Sequence, residues 1–324
     1  MHSSVYQPWL YRVALLTAGV ALLPILVGAL VTTKGAGMAF PDWPASDGQN
    51  MLLYPWLKSA GDKFLEHGHR LAGMLIGIVS IGLVVLVSAK EHRRWVKWLA
   101  TAVLLGVVFQ GLLGGERVLQ DARVLGMLHG SFAAIVFSMM AATALVTSRG
   151  WFAIADAPRS GDTGKLKLQC AIAIVVIAGQ YLLGGMVRHL GMVLHQHLGF
   201  ALITAMVVCW LAWSVHRTGI AWLKNPATCL VWLVGLQLVL GAGTWVTKYG
   251  FGEDYVAVLN SPLQVGIRTS HFLVGLLMFM TTIVLTIRVL RLEWLAADRS
   301  QTRSSSLSST SSFDRQLSLP GGAQ

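Results

Sequence analysis

Four histidines sit just inside the ends of long apolar segments: His69, His129, His197, with His195 beside it, and His271. An ionisable side chain within a bilayer is costly, and is therefore a functional candidate wherever it occurs. Four at matching depth suggest pairs, and paired neutral imidazoles are what a six-coordinate haem iron needs. One histidine in an apolar helix is better read as a satisfied packing residue; four at equivalent positions favour ligands. His67 and His195 each lie two residues before a better candidate, which turns them to another helix face. His189 reads as a loop residue, and His2, His92 and His216 as solvated residues at the opposite ends of the segments.

The densest chemistry stands in Glu66-His67-Gly68-His69-Arg70-Leu71-Ala72-Gly73. Glu66 precedes His69 by three residues, so the two share one face if the helix has begun there. A carboxylate beside a metal-bound imidazole can take protons or stabilise developing positive charge. The alternative is a helix-entry carboxylate facing the dipole. Arg70 is either an interfacial snorkelling residue or a partner for a haem propionate. Cys170, Cys209 and Cys229 have no metal-ligand spacing and read as ordinary core cysteines rather than a disulfide framework.

The segments that must position these groups are membrane spans. The chain of 324 residues is 55% hydrophobic and 12% charged, with mean hydropathy +0.63, against about 25% charged residues in a soluble protein. Stretches long enough to cross hydrocarbon as helix fall at roughly 12–32, 69–89, 96–114, 125–147, 168–187, 193–214, 227–247 and 268–290. The net charge of +11 lies mostly between these spans, which makes it a topology signal and argues against a nucleic-acid surface. Lys90, Arg93, Arg94 and Lys97 follow the second span, and Arg149, Arg159, Lys165 and Lys167 the fourth. Arg217 and Lys224 follow the sixth, and Arg288, Arg291, Arg299 and Arg303 the eighth. The positive-inside rule places these ends and both termini in the cytoplasm. All four candidate histidines then begin even-numbered spans on the outer side. Met1–Trp9 lacks a signal-peptide pattern, so the first apolar run is expected to remain as a span.

An internal repeat organises the spans. Gln110-Gly111-Leu112-Leu113-Gly114-Gly115 returns as Gln180-Tyr181-Leu182-Leu183-Gly184-Gly185, and more loosely as Gln237-Leu238-Val239-Leu240-Gly241-Ala242. Each copy ends an odd-numbered span, and the next span opens with a histidine. His129-Gly130-Ser131-Phe132-Ala133 and His197-Leu198-Gly199-Phe200-Ala201 align on Phe-Ala, which favours His197 over His195. The glycines serve close helix packing, room for a flat porphyrin, or both. The expected fold is an all-α polytopic membrane protein, eight transmembrane helices in two pseudo-symmetric four-helix bundles, residues 1–148 and 149–295. Residues 296–324, rich in Ser, Thr and Arg, are expected to form a disordered cytoplasmic tail.

The first long connection carries Val31-Thr32-Thr33-Lys34-Gly35-Ala36-Gly37-Met38-Ala39-Phe40-Pro41-Asp42-Trp43-Pro44. Followed by Glu66-x-x-His69 and by histidines on the second, fourth, sixth and eighth spans, it resembles the haem A synthase family over about residues 12–290. The resemblance implies a substrate site for haem O in the N-terminal half, with His69 and His129 ligating or flanking it and Glu66 as catalytic carboxylate. It implies a haem B in the C-terminal half with His197 and His271 as axial ligands. The implied reaction oxidises the C8 methyl of haem O to a formyl group by successive hydroxylations. Haem O synthase and cytochrome oxidase assembly factors are the implied partners, and the bacterial cytoplasmic membrane the implied location. Some members carry cysteine pairs in the outer loops; Thr33–Gly68 has none here. Two rival readings use the same histidines: a dihaem b-type cytochrome exchanging electrons with quinone, and a haem transporter or chaperone without redox chemistry.

Overall fold

The computed structural model describes residues 6–154, 163–251 and 257–317, with side chains of the last helix described to residue 299 and at 301. His2 and Arg159 lie outside the described residues. The helices are α1 (Pro8–Lys34), α2 (Gly61–Lys90), α3 (Arg94–Leu119), α4 (Arg123–Thr147), the short α5 (Arg149–Ala153), α6 (Gly164–Leu190), α7 (Leu194–Arg217), α8 (Ala221–Tyr249) and α9 (Pro262–Leu317). All but α5 are long and apolar enough to cross a membrane, eight among the described residues. Among the described residues no strand accompanies them; Ser46 and Gln49 form an isolated bridge. The chain is a multi-pass membrane protein. Only a structure that closes its own backbone hydrogen bonds can span hydrocarbon, which is why these apolar runs are helices.

The apolar residues divide between interior and exterior without becoming polar outside. Ile78, Val85, Val175, Leu202, Met206, Trp232 and Val239 are more than half exposed, as expected of faces that meet lipid. Cys209 and Cys229 also lie on exposed positions, so Cys170 alone of the three is a core cysteine. Buried apolar residues gather in two clusters. One draws on α1–α4, with Trp151 of α5 and Leu276 of α9; the other draws on α6–α9. Helix contacts follow the same division, α1 to α2 to α3 to α4 and back to α1, and α6 to α7 to α8 to α9 and back to α6. The two groups meet where α1 and α4 pack on α9 and α4 packs on α6.

Glycine fixes two of the sharp exits. Gly35 ends α1 at φ 73°, and its amide donates to the Thr32 carbonyl while Ala36 donates to Val31. Gly191 ends α6 at φ 70°, which leaves a short link before α7 and holds the histidine-bearing ends of both helices close together. At the other end of the chain α9 continues as helix to Leu317, through most of the stretch whose composition suggests disorder. No glycine or proline stands between Gly275 and Pro320 to stop it.

Candidate functional site

The four candidate histidines form two pairs at the same end of the helix bundle. His69 of α2 and His129 of α4 have ring centroids 6.1 Å apart with planes at 85°. His197 of α7 and His271 of α9 stand 6.3 Å apart at 86°. His195 is exposed and joins neither pair.

The repeat builds a seat for each ring. A Cβ at Gly114 would lie 3.1 Å from His129 Cε1, at Gly184 3.1 Å from His197 Cε1, and at Gly241 3.3 Å from His271 Cε1. The glutamine that opens each copy holds the same helix from one turn away. Gln110 Nε2 donates to the His129 carbonyl (3.2 Å), Gln180 Nε2 to the His197 carbonyl (3.1 Å), and Gln237 Nε2 lies 3.5 Å from His271 Nε2. His69 has no repeat copy before it and is seated by α1 instead. A Cβ at Gly28 would fall 2.7 Å from its Cε1, and its Nδ1 lies 3.0 Å from the Pro24 carbonyl oxygen.

The first connection folds back onto the ends of α2 and α3 that carry or seat the N-terminal pair and is clamped by α2. Glu66 is 3% exposed; its Oε2 accepts the Ala39 (2.7 Å) and Phe40 (3.4 Å) amides and its Oε1 accepts Arg70 Nη2 (2.8 Å). Arg70 Nη1 donates to the carbonyls of Asp42 (3.0 Å) and Ala45 (2.7 Å). Arg70 is thus the partner of Glu66 and of the loop, rather than a side chain reaching for the interface. His67 is buried, with Ser46 Oγ at 3.1 Å from Nδ1 and the rings of Phe40 and Tyr54 against it. From α3, Arg117 donates to the Gly37 carbonyl, and the Trp43 ring lies over Gly115, where a Cβ would be 2.4 Å from Cδ2.

Two glycine substitutions follow from these approaches. Gly115→Ala is expected to displace Trp43, and Gly28→Ala to push His69 from the Pro24 carbonyl, each with an overpacking cost of about 1–3 kcal/mol. Thermal unfolding of the purified protein in detergent measures both; an unchanged Tm for Gly115→Ala would contradict the packing.

Asp42 makes the loop sensitive to acid. Slight burial pushes its carboxyl up, but the Gly48 (2.7 Å) and Asp47 (3.0 Å) amides and the Arg70 charge outweigh it and hold it below the usual carboxylate range. A depressed folded pKa stabilises the loop fully above the unfolded value of 3.8, and that stabilisation is lost as pH falls through the folded value. Loop proteolysis by an acid-stable protease should therefore rise below about pH 4, and Asp42→Asn should flatten the rise.

Sequence spacing did not anticipate three of these roles. His189 is not in a loop but on α6, with Gly126 and Gly130 of α4 against its ring. Arg188 donates to the Ala29 carbonyl (2.8 Å) and Thr33 Oγ1 (3.0 Å) and stands over the Phe272 ring, tying α6 to α1. His67 anchors the loop. The matched glutamines were legible as letters in the repeat; their bonds were not. His92 and His216 are exposed at the far end.

The family profile for COX15-CtaA, described as cytochrome oxidase assembly protein, matches residues 9–196, more than half of the chain. The chain belongs to this family. Curated relatives named "Heme A synthase" include that of Geobacillus kaustophilus, 28% identical over 252 residues, 69% of this chain and 77% of the relative. That of Symbiobacterium thermophilum is 31% identical over 189 residues, 56% and 60% of the two chains. That of Shouchella clausii is 30% identical over 132 residues, 40% and 42%. The chain thus spans less than two thirds of the length of the latter two relatives.

For a COX15-CtaA member haem is the group to test against the histidine pairs, and both pairs fit it. Two imidazoles on opposite sides of one metal, each nitrogen about 2.0 Å from it and each centroid about 1.1 Å behind, have centroids about 6 Å apart, as here. Among the described residues no three His, Cys, Asp or Glu side chains converge. A bare ion would lack ligands at either pair, whereas a macrocycle brings its own four. The Nδ1 atoms of His129, His197 and His271 are buried without a hydrogen-bond partner, and the glycine seats leave each ring room to settle against a flat neighbour. The profile match ends just before His197, so the second pair rests on its own geometry.

Proposed function

We propose that this protein is a haem A synthase, converting haem O to haem A for cytochrome oxidase. The observation that carries the reading is the pair His69–His129 beside a loop clamped by Glu66 and Arg70, duplicated in His197–His271, in a chain of the COX15-CtaA family. Residues 1–148 form the half with the haem O site and residues 149–295 the half with haem B. The C8 methyl group takes oxygen from water in two steps, to an alcohol and then to a geminal diol that loses water to leave the formyl group. In total the methyl and one water yield the aldehyde, four protons and four electrons. Haem B, bound by His197 and His271, supplies one-electron transfer toward an acceptor.

The chain's own residues perform the rest. His69 and His129 hold the substrate macrocycle, and the loop from Gly35 to Ser59 shields that site from bulk water. Glu66 is the carboxylate that receives protons or offsets positive charge developing at the substrate. Both termini lie in the cytoplasm by the distribution of Lys and Arg, which puts the site at the outer face of a bacterial cytoplasmic membrane. Haem O synthase and oxidase assembly factors are the natural neighbours.

The matched separations of the two pairs would serve a dihaem b-type electron carrier equally well. Chromatography of haems from membranes of a haem O-producing host, with and without this protein, separates the readings. Haem A and its alcohol precursor are expected; unchanged haem O with a b-type spectrum in the purified protein would establish the carrier.

A further inference from the structure

A cleft of about 330 Å³ opens between α3, α4 and α6, floored by Phe279 of α9. It is large enough for a small ligand and is not used by the histidine pairs. Its walls carry the aromatic rings of Phe109, Phe132 and Tyr181, with Phe109 and Phe132 edge to face at 5.0 Å. Ala178 leaves the space open on the α6 side, and only Ser131 and Tyr181 bring hydroxyls to it.

The cleft runs alongside the N-terminal pair. Leu128 and Phe132 flank His129 on α4; Leu113 flanks Gly114, on which the His129 ring rests; Phe109 neighbours Gln110, which holds the His129 carbonyl. Tyr181 donates to the Gly130 carbonyl at 3.5 Å, which places its hydroxyl one residue from His129. The cleft and the N-terminal pair therefore share one level of α3 and α4, and the hydroxyls of Ser131 and Tyr181 lie at that level.

We propose that this cleft binds an isoprenoid chain, the hydroxyethylfarnesyl tail by which haem O differs from haem B. The inference rests on the haem O reading above. Planar, methyl-branched double bonds pack against ring faces and edges, and the tail's hydroxyl has Ser131 or Tyr181 to bond at its base. A saturated acyl chain uses neither feature. The other isoprenoid source in a membrane is a quinone, and the chemistry of the cleft is the same for both.

The test is photolabelling of the full-length protein in nanodiscs with a diazirine-bearing farnesyl alcohol and, separately, a diazirine fatty acid of equal length. The farnesyl probe is expected to label peptides covering residues 128–135 and 178–182 about tenfold more than the fatty acid. Haem O should displace it and haem B should not. Displacement by a quinone and not by haem O would keep the isoprenoid site and reassign its source. Equal labelling by both probes, or none, overturns the proposal. As a second measurement, Ala178→Phe should weaken haem O binding about tenfold and leave haem B binding unchanged; equal effects on both haems would likewise overturn it. Conversion of haem O in the same nanodiscs reads the parent reading separately. An enzyme that converts haem O but shows no selective labelling loses the cleft alone, and one that binds the tail without conversion loses the synthase reading alone.

Discussion

Replacing His271 by alanine is expected to remove the haem B proposed for the C-terminal half. His271 and His197 are the two imidazoles that meet across that half, and among the described residues no other histidine pairs with them, His195 being exposed on α7. With His271 gone, His197 would be the one imidazole of the pair left to hold a haem there. Changes to residues that merely orient a ligand already cost about 10–100-fold in metal affinity; loss of the ligand itself should exceed that. Haem quantified as its pyridine complex, together with the reduced spectrum of the purified variant, reads the result directly. His197→Ala should behave alike, and His195→Ala should retain the wild-type spectrum. A His271→Ala protein that keeps its full b-type haem would remove this pair from the site. The N-terminal pair has separate seats, Gly28 and Gly114, so substrate binding there should survive the change.

The eight spans were legible because hydrocarbon admits few solutions: a run of about 20 apolar residues must be helix, and the observed helices cover the expected windows to within a residue, most with a turn or two added at the ends, while α9 runs on to Leu317. The seats for the histidines were half legible. Gln110, Gln180 and Gln237 recur with the glycines, yet one-dimensional spacing could not say that Gly114, Gly184 and Gly241 each lie beneath a ring. Gly28 and Pro24 were invisible as partners of His69, because α1 has no place in the repeat and meets α2 only through tertiary packing. Arg70 shows the same limit. Its spacing suggested the interface or a ligand and gave no sign of the carboxylate four residues back and the two loop carbonyls that it bonds. Contacts made by irregular backbone, such as the Asp42 and Ala45 carbonyls, leave no period in the sequence to read.

Glu66→Ala is expected to abolish haem A formation while leaving haem B in place. The carboxylate is nearly buried, and so is its partner: the two side chains are 4% and 7% exposed. Removing one member of a buried pair strands the other charge, at a cost of about 3–5 kcal/mol, and here it also strips the Ala39 amide of its acceptor. The loop should come loose from α2, and haem O or its hydroxylated intermediate should accumulate in extracted membranes. Since a loose loop alone would stop the reaction, Glu66→Gln separates chemistry from positioning. The amide oxygen can still accept from Ala39 while Arg70 keeps its bonds to the Asp42 and Ala45 carbonyls, so limited proteolysis within residues 35–60 should rise less than in Glu66→Ala. If the carboxylate handles protons or charge, this variant still accumulates haem O behind a closed loop. If it only anchors the loop, haem A formation recovers in step with protease resistance, and Arg70→Ala should reproduce the alanine phenotype by freeing the same segment from the opposite side of the ion pair.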